Sequence, residues 1–107
     1  FYPFDSKRGR AIEVLQLPNV FMDGNAFYHK GATVEMALAS ISDWIELLKT
    51  AEGSACIDWH IRTSNPENKD FASWGLCYFA MVEILAADQD IWVTDCRGLY
   101  DWWSKRM

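Results

Sequence analysis

A chain of 107 residues, half of them hydrophobic and with six Trp, six Phe and four Tyr, holds one domain at most, and a small one for a parallel sheet that needs cover on both faces. Its net charge of −5, with basic residues scattered except at Lys7-Arg8-Gly9-Arg10, argues against a nucleic-acid partner, which demands a Lys/Arg stripe. The longest apolar run, Leu76 to Ala87, is too short for a membrane span and contains Glu83.

The first predicted element is a strand over Ala11-Ile12-Glu13-Val14-Leu15-Gln16-Leu17, which alternates polar and apolar at its centre and is stopped by Pro18. Asn19 to Gly31 reads as loop, with the turn signature Asp23-Gly24-Asn25 and His29, a loop histidine. Val34, Ala37, Leu38, Ile41, Ile45 and Leu48 recur at helical spacing, so Ala32 to Thr50 is predicted helical, with Glu52-Gly53 as its stop. A buried strand over Ser54 to Ile61 follows, then the polar loop Arg62 to Asn68. The helix from about Asp70 to Ala87 is apolar on every side and wants cover all round. Ile91-Trp92-Val93 reads as a third strand, and Thr94-Asp95 caps a last helix through Leu99, Trp102, Trp103 and Arg106. The order β-α-β-α-β-α predicts an α/β class: three consecutive β/α units with a parallel sheet, residues 1–107 forming a single unit.

Cys56 in a strand, Cys77 in an apolar helix and Cys96 at a helix start have no metal-ligand spacing and read as buried free thiols. An odd count fits a reducing compartment, one disulfide stays open, and localisation is not set by these residues. The start at Phe1, without an initiator Met and inside an aromatic-rich turn segment, suggests cleavage, trimming or an upstream part.

The second strand carries the most chemistry, because it places Asp58, Trp59 and His60 at its carboxyl end, where α/β proteins bind ligands. Asp58 lies on the same strand face as His60 by the period of two and is a candidate to tune it or to bind substrate. Trp59 alternates to the other face and reads as core. Arg62, in the following loop, is a candidate substrate contact or a solvated arginine. Asp23 follows a segment at the same edge; it either orients His60, contacts substrate, or is simply a turn aspartate before Gly24.

The series Pro3-Phe4-Asp5, Leu17-Pro18-Asn19-Val20-Phe21-Met22-Asp23-Gly24, Cys56-Ile57-Asp58-Trp59-His60 and Ile91-Trp92-Val93-Thr94 with Trp102-Trp103-Ser104-Lys105-Arg106 resembles the C-terminal part of the polysaccharide deacetylase family. The resemblance implies the C-terminal part of a distorted (β/α) barrel, with Trp92, Trp102 and Trp103 as core or barrel-closing groups. It implies a deacetylase-type hydrolase of N-acetylated sugars or glycans, with His60 as general acid protonating the departing amine. An imidazole suits that role because it titrates near neutrality. Asp58 departs from the pattern, which has an aliphatic residue two before the histidine.

The larger departure is that the family's Asp-Asp and His-x-x-x-His motifs do not occur in these residues. With His29 and His60 as its histidines, this chain alone is expected to bind no metal; a divalent, zinc-like metal is expected only with the upstream part of the same barrel. A second reading, from another class, is a non-catalytic carbohydrate-binding or scaffold module using exposed Trp and Tyr, a pseudoenzyme. A third is a small domain that dimerises through the apolar helix from Asp70 to Ala87.

Overall fold

Asp5 opens the chain's first turn by accepting the backbone N–H groups of Lys7 at 3.0 Å and Arg8 at 3.1 Å on one carboxylate oxygen. In the computed structural model, which describes Phe1–Arg106, that turn joins β1 (Phe4–Asp5) to β2 (Arg10–Ala11) as an antiparallel hairpin. Gly9, at φ 65°, takes the left-handed conformation that the return requires. The Lys7–Arg10 cluster is therefore exposed turn. The strand expected over Ala11 to Leu17 is reduced to its first residue: Ile12 and Gln16 bond back to Pro3 and Phe1, so its neighbour is the chain start and the pairing is antiparallel, not part of a parallel sheet.

The chain folds as two compact units, one from Pro18 to Ile91 and one from Phe1 to Leu17 with the segment from Trp92 onward. In the central unit, β3 (Asn19–Met22) pairs in parallel with β4 (Cys56–Asp58), in the register Asn19 to Cys56, Phe21 to Ile57 and Met22 to Asp58. Asn19–Met22 was expected as loop; it becomes a strand because β4 needs a partner and Phe21, buried here, stacks on Trp59 at 5.8 Å. This pair is the whole parallel sheet among the described residues, a correction to the expected three strands. Ile91 closes a turn onto Asp88 and Ile91-Trp92-Val93 forms no strand, since no neighbouring strand offers it a ladder.

A π-helical turn over Gly24–His29 leads from β3 to α1 (Val34–Thr50), whose Thr33 hydroxyl caps the first turn by accepting Met36 N–H at 3.2 Å. Ala37, Ile41 and Ile45, spaced by one helical turn each, are its buried stripe. At the other end Glu52 N–H bonds Lys49 O and Gly53 N–H bonds Leu48 O, the paired closure of a Schellman turn. The left-handed position in it, φ 50°, belongs to Glu52 and not to Gly53.

α2 (Ala72–Ala87) buries Gly75, Cys77 and Met81, and the side chains of Cys77 and Met81 form the core with Phe21, Ala26, Phe27, Ala37, Ile41 and Ile45. Its other side carries Leu76, Phe79, Val82 and Ile84 exposed, where cover on every side was expected. Lys49 of α1 reaches Asp88, just past α2, at 3.0 Å and ties the two helix ends together. In the terminal unit, α3 (Cys96–Ser104) is capped by Asp95, whose carboxylate accepts Gly98 N–H at 2.7 Å.

Candidate functional site

Parallel pairing puts the carboxyl ends of β3 and β4 at one edge of the sheet, so the residues that follow each strand meet although they are 37 positions apart. After β3 the backbone turns directly into the π-helix at Asp23, whose carboxylate caps it by accepting Gly24 N–H at 2.7 Å. After β4 it stays extended through His60 and then closes a 3-10 turn over Ile61–Thr63, with Thr63 N–H donating to His60 O at 3.0 Å.

Asp23 is completely buried and His60 has 42% of its side chain exposed. His60 Nδ1 lies 2.7 Å from Asp23 Oδ1; because a carboxylate only accepts, the imidazole carries its proton on Nδ1 and leaves Nε2 as the second nitrogen. The same carboxylate accepts His60 backbone N–H on Oδ2 at 3.2 Å and the hydroxyl of Thr63, also fully buried. Burial by itself would raise the Asp23 pKa, but the hydrogen bonds from Thr63, the His60 ring and the His60 and Gly24 backbone outweigh it and hold the carboxyl below the usual aspartate range. A buried anion thus grips one nitrogen of a half-exposed imidazole, the arrangement that orients a histidine for proton transfer.

Of the other predicted site residues, Asp58 ends β4 exposed and makes no side-chain hydrogen bond or ion pair among the described residues. Arg62 lies exposed in the 3-10 turn, its carbonyl accepting Asn68 Nδ2 at 3.3 Å. Both stand within two residues of His60 in sequence, and neither bonds its ring. His29 is exposed at the end of the π-helix, edge-on to Tyr28. Trp59 points into the core as its alternation predicts, against Phe21, Phe27 and Tyr78, and its Nε1 donates to Thr63 O at 3.4 Å.

Thr63 is the participant that reading the sequence missed. The signal available was its position three after His60, where a Thr closes a turn back onto the preceding carbonyl. Of the cysteines, Cys77 is buried, with its thiol pushed up to about 11 by desolvation, Cys56 is half-buried and Cys96 is exposed, contrary to the reading of all three as buried. No three His, Cys, Asp or Glu side chains among the described residues come together to hold a metal ion. No helix among them is long and apolar enough to cross a membrane. No family model, no curated protein and no solved structure matches the chain.

Proposed function

We propose that this chain is the C-terminal part of a deacetylase-type (β/α) barrel acting on N-acetylated sugars or glycans, with His60 as its proton donor and Asp23 as the group that holds it. The observation that carries this reading is the 2.7 Å contact between the buried Asp23 carboxylate and the half-exposed His60 imidazole. The order of motifs that resembles the deacetylase family supports the substrate class. In the proposed step a water adds to the acetyl carbonyl and loses a proton to solvent, the C–N bond breaks as the amine nitrogen takes the Nε2 proton of doubly protonated His60, and acetic acid leaves. Asp23 stabilises the cationic ring beforehand and keeps Nδ1 protonated afterwards. In this reading Asp58 and Arg62, both exposed and each two positions from His60 in the chain, contact the sugar.

The described residues offer no donor set for the family's divalent metal, so in this proposal any metal is held by the upstream part of the barrel, and no step is derived through it. The exposed apolar side of α2, from Leu76 to Ile84, supports further protein packing there. The test is acetate release from an N-acetylated amino-sugar oligomer by the protein with its upstream segment. His60→Ala should lower turnover by about 10²–10⁴-fold, the usual worth of a positioned acid, in a chain that still folds but with its thermal transition lowered by the loss of one donor to buried Asp23. Unchanged turnover removes His60 from the mechanism.

A second reading, a carbohydrate-binding module without catalysis, is favoured by the exposure of Trp92, Trp102 and Trp103 at 56%, 37% and 38%. Saturable quenching of Trp fluorescence by glycans with no acetate released would select it.

A further inference from the structure

We infer that Thr63 is a positioning residue: its buried hydroxyl occupies Asp23 Oδ2 and leaves Oδ1 to the ring, so that His60 keeps its proton on Nδ1 and presents Nε2 for proton transfer. A carboxylate offers about four lone-pair positions. Here Oδ1 receives Gly24 N–H and the imidazole, and Oδ2 receives His60 N–H and the Thr63 hydroxyl. No Lys or Arg pairs with Asp23 among the described residues, so these four contacts are what hold a fully buried anion.

Thr63 Oγ1 also lies 2.8 Å from His60 O. A hydroxyl has one proton, and a carboxylate is a stronger acceptor than a carbonyl that already takes Thr63 N–H, so the proton goes to Asp23. The Thr63 backbone is held from two sides, its N–H on His60 O and its carbonyl on Trp59 Nε1. The hydroxyl is therefore carried by the same turn that carries the imidazole. Without it Oδ2 keeps only the 3.2 Å bond from His60 N–H, the carboxylate is held less firmly, and Oδ1 meets Nδ1 over a wider range of orientations.

The inference rests on the reading of His60 as the working group, and its first readout needs no turnover. Nitrogen-15 NMR of the 107-residue chain, at a pH where the ring is neutral, should show His60 in the Nδ1–H form. Thr63→Val, which keeps the shape and drops the hydroxyl, should convert this to a mixture of both forms, and Thr63→Ser should restore the original pattern. An Nε2–H ring in the unaltered chain overturns the inference, as does a folded Thr63→Val variant with its ring unchanged. If Thr63→Val does not fold, the hydroxyl proton of the unaltered chain decides: slow exchange with coupling to the Asp23 carboxyl supports the assignment, and free exchange overturns it. A lost Nδ1–H pattern in Thr63→Val beside an absence of acetate release would leave this inference standing and sink the hydrolase. Acetate release beside an unchanged ring would do the reverse.

Discussion

Asp23 has no exposed surface, and a carboxylate taken out of water remains an anion only where donors replace the solvent. Its donors come from three residues, Gly24, His60 and Thr63, and they more than offset the burial that would otherwise raise its pKa. A folded-state pKa below the unfolded value means a stabilisation present above the unfolded carboxylate pKa of about 4 and lost as pH falls through the lower folded value. Urea unfolding across a pH series should therefore show stability declining below about pH 4. Asp23→Asn should flatten that decline and cost about 1–3 kcal/mol at pH 7, the penalty for leaving buried donors poorly matched. An Asn variant with wild-type stability at neutral pH would mean that the donors find water. Cys77 is the contrasting case, buried without donors, so its thiol titrates near 11 and stays protonated at neutral pH.

Two strands and the turns that leave them set the site at the level of elements. The loop after His60 is clamped from the other side by α2, where Gly75 lets the backbone of Asn65 and Pro66 approach the helix. A Cβ at Gly75 would stand 2.7 Å from Pro66 Cα and 2.5 Å from Asn65 C, contacts that backbone atoms cannot relieve by rotation. Gly75→Ala should thus lose about 1–3 kcal/mol despite the better helix propensity of alanine. Denaturant midpoints check this, and a stabilised variant would show that the loop lifts away from α2. α1 ends by a different logic, since its left-handed residue is Glu52 with the neighbouring Gly53 left in an ordinary conformation.

For the molecule as a whole, apolar surface is divided unevenly. The central unit hides Ile41, Cys77 and Met81 but leaves Met36, Leu47, Leu76 and Phe79 largely outside. In the terminal unit Trp92, Trp102 and Trp103 stand partly in solvent, with the Arg106 guanidinium 3.6 Å above the Trp102 ring. Of their two readings, core or barrel-closing groups, this exposure corrects the first. Trp103→Ala should accordingly cost about 1–2 kcal/mol, below the 3–5 typical of a buried Trp. A larger loss in urea, at unchanged slope, would place Trp103 in a buried contact.

What the chain settles by itself is local. The α1 stripe Ala37-Ile41-Ile45, the cap at Asp95 and the inward turn of Trp59 all follow from spacing, capping chemistry and alternation within a few residues. Only tertiary structure decided which strand pairs with which, because pairing depends on a partner far along the chain. In Asn19–Met22 the strand-favouring run Val20-Phe21-Met22 is too short, between Pro18-Asn19 and Asp23-Gly24, to read as a strand alone; β4 makes it one. The segment at Ala11–Leu17 alternates suitably but finds the chain start beside it in place of a parallel strand, and Ile91–Val93 clusters suitably but meets no strand among the described residues. The site divides in the same way. Asp23 and His60 were both legible as residues at the ends of segments, but that one binds the other, and that Thr63 joins them, required the parallel register that brings together positions 37 residues apart.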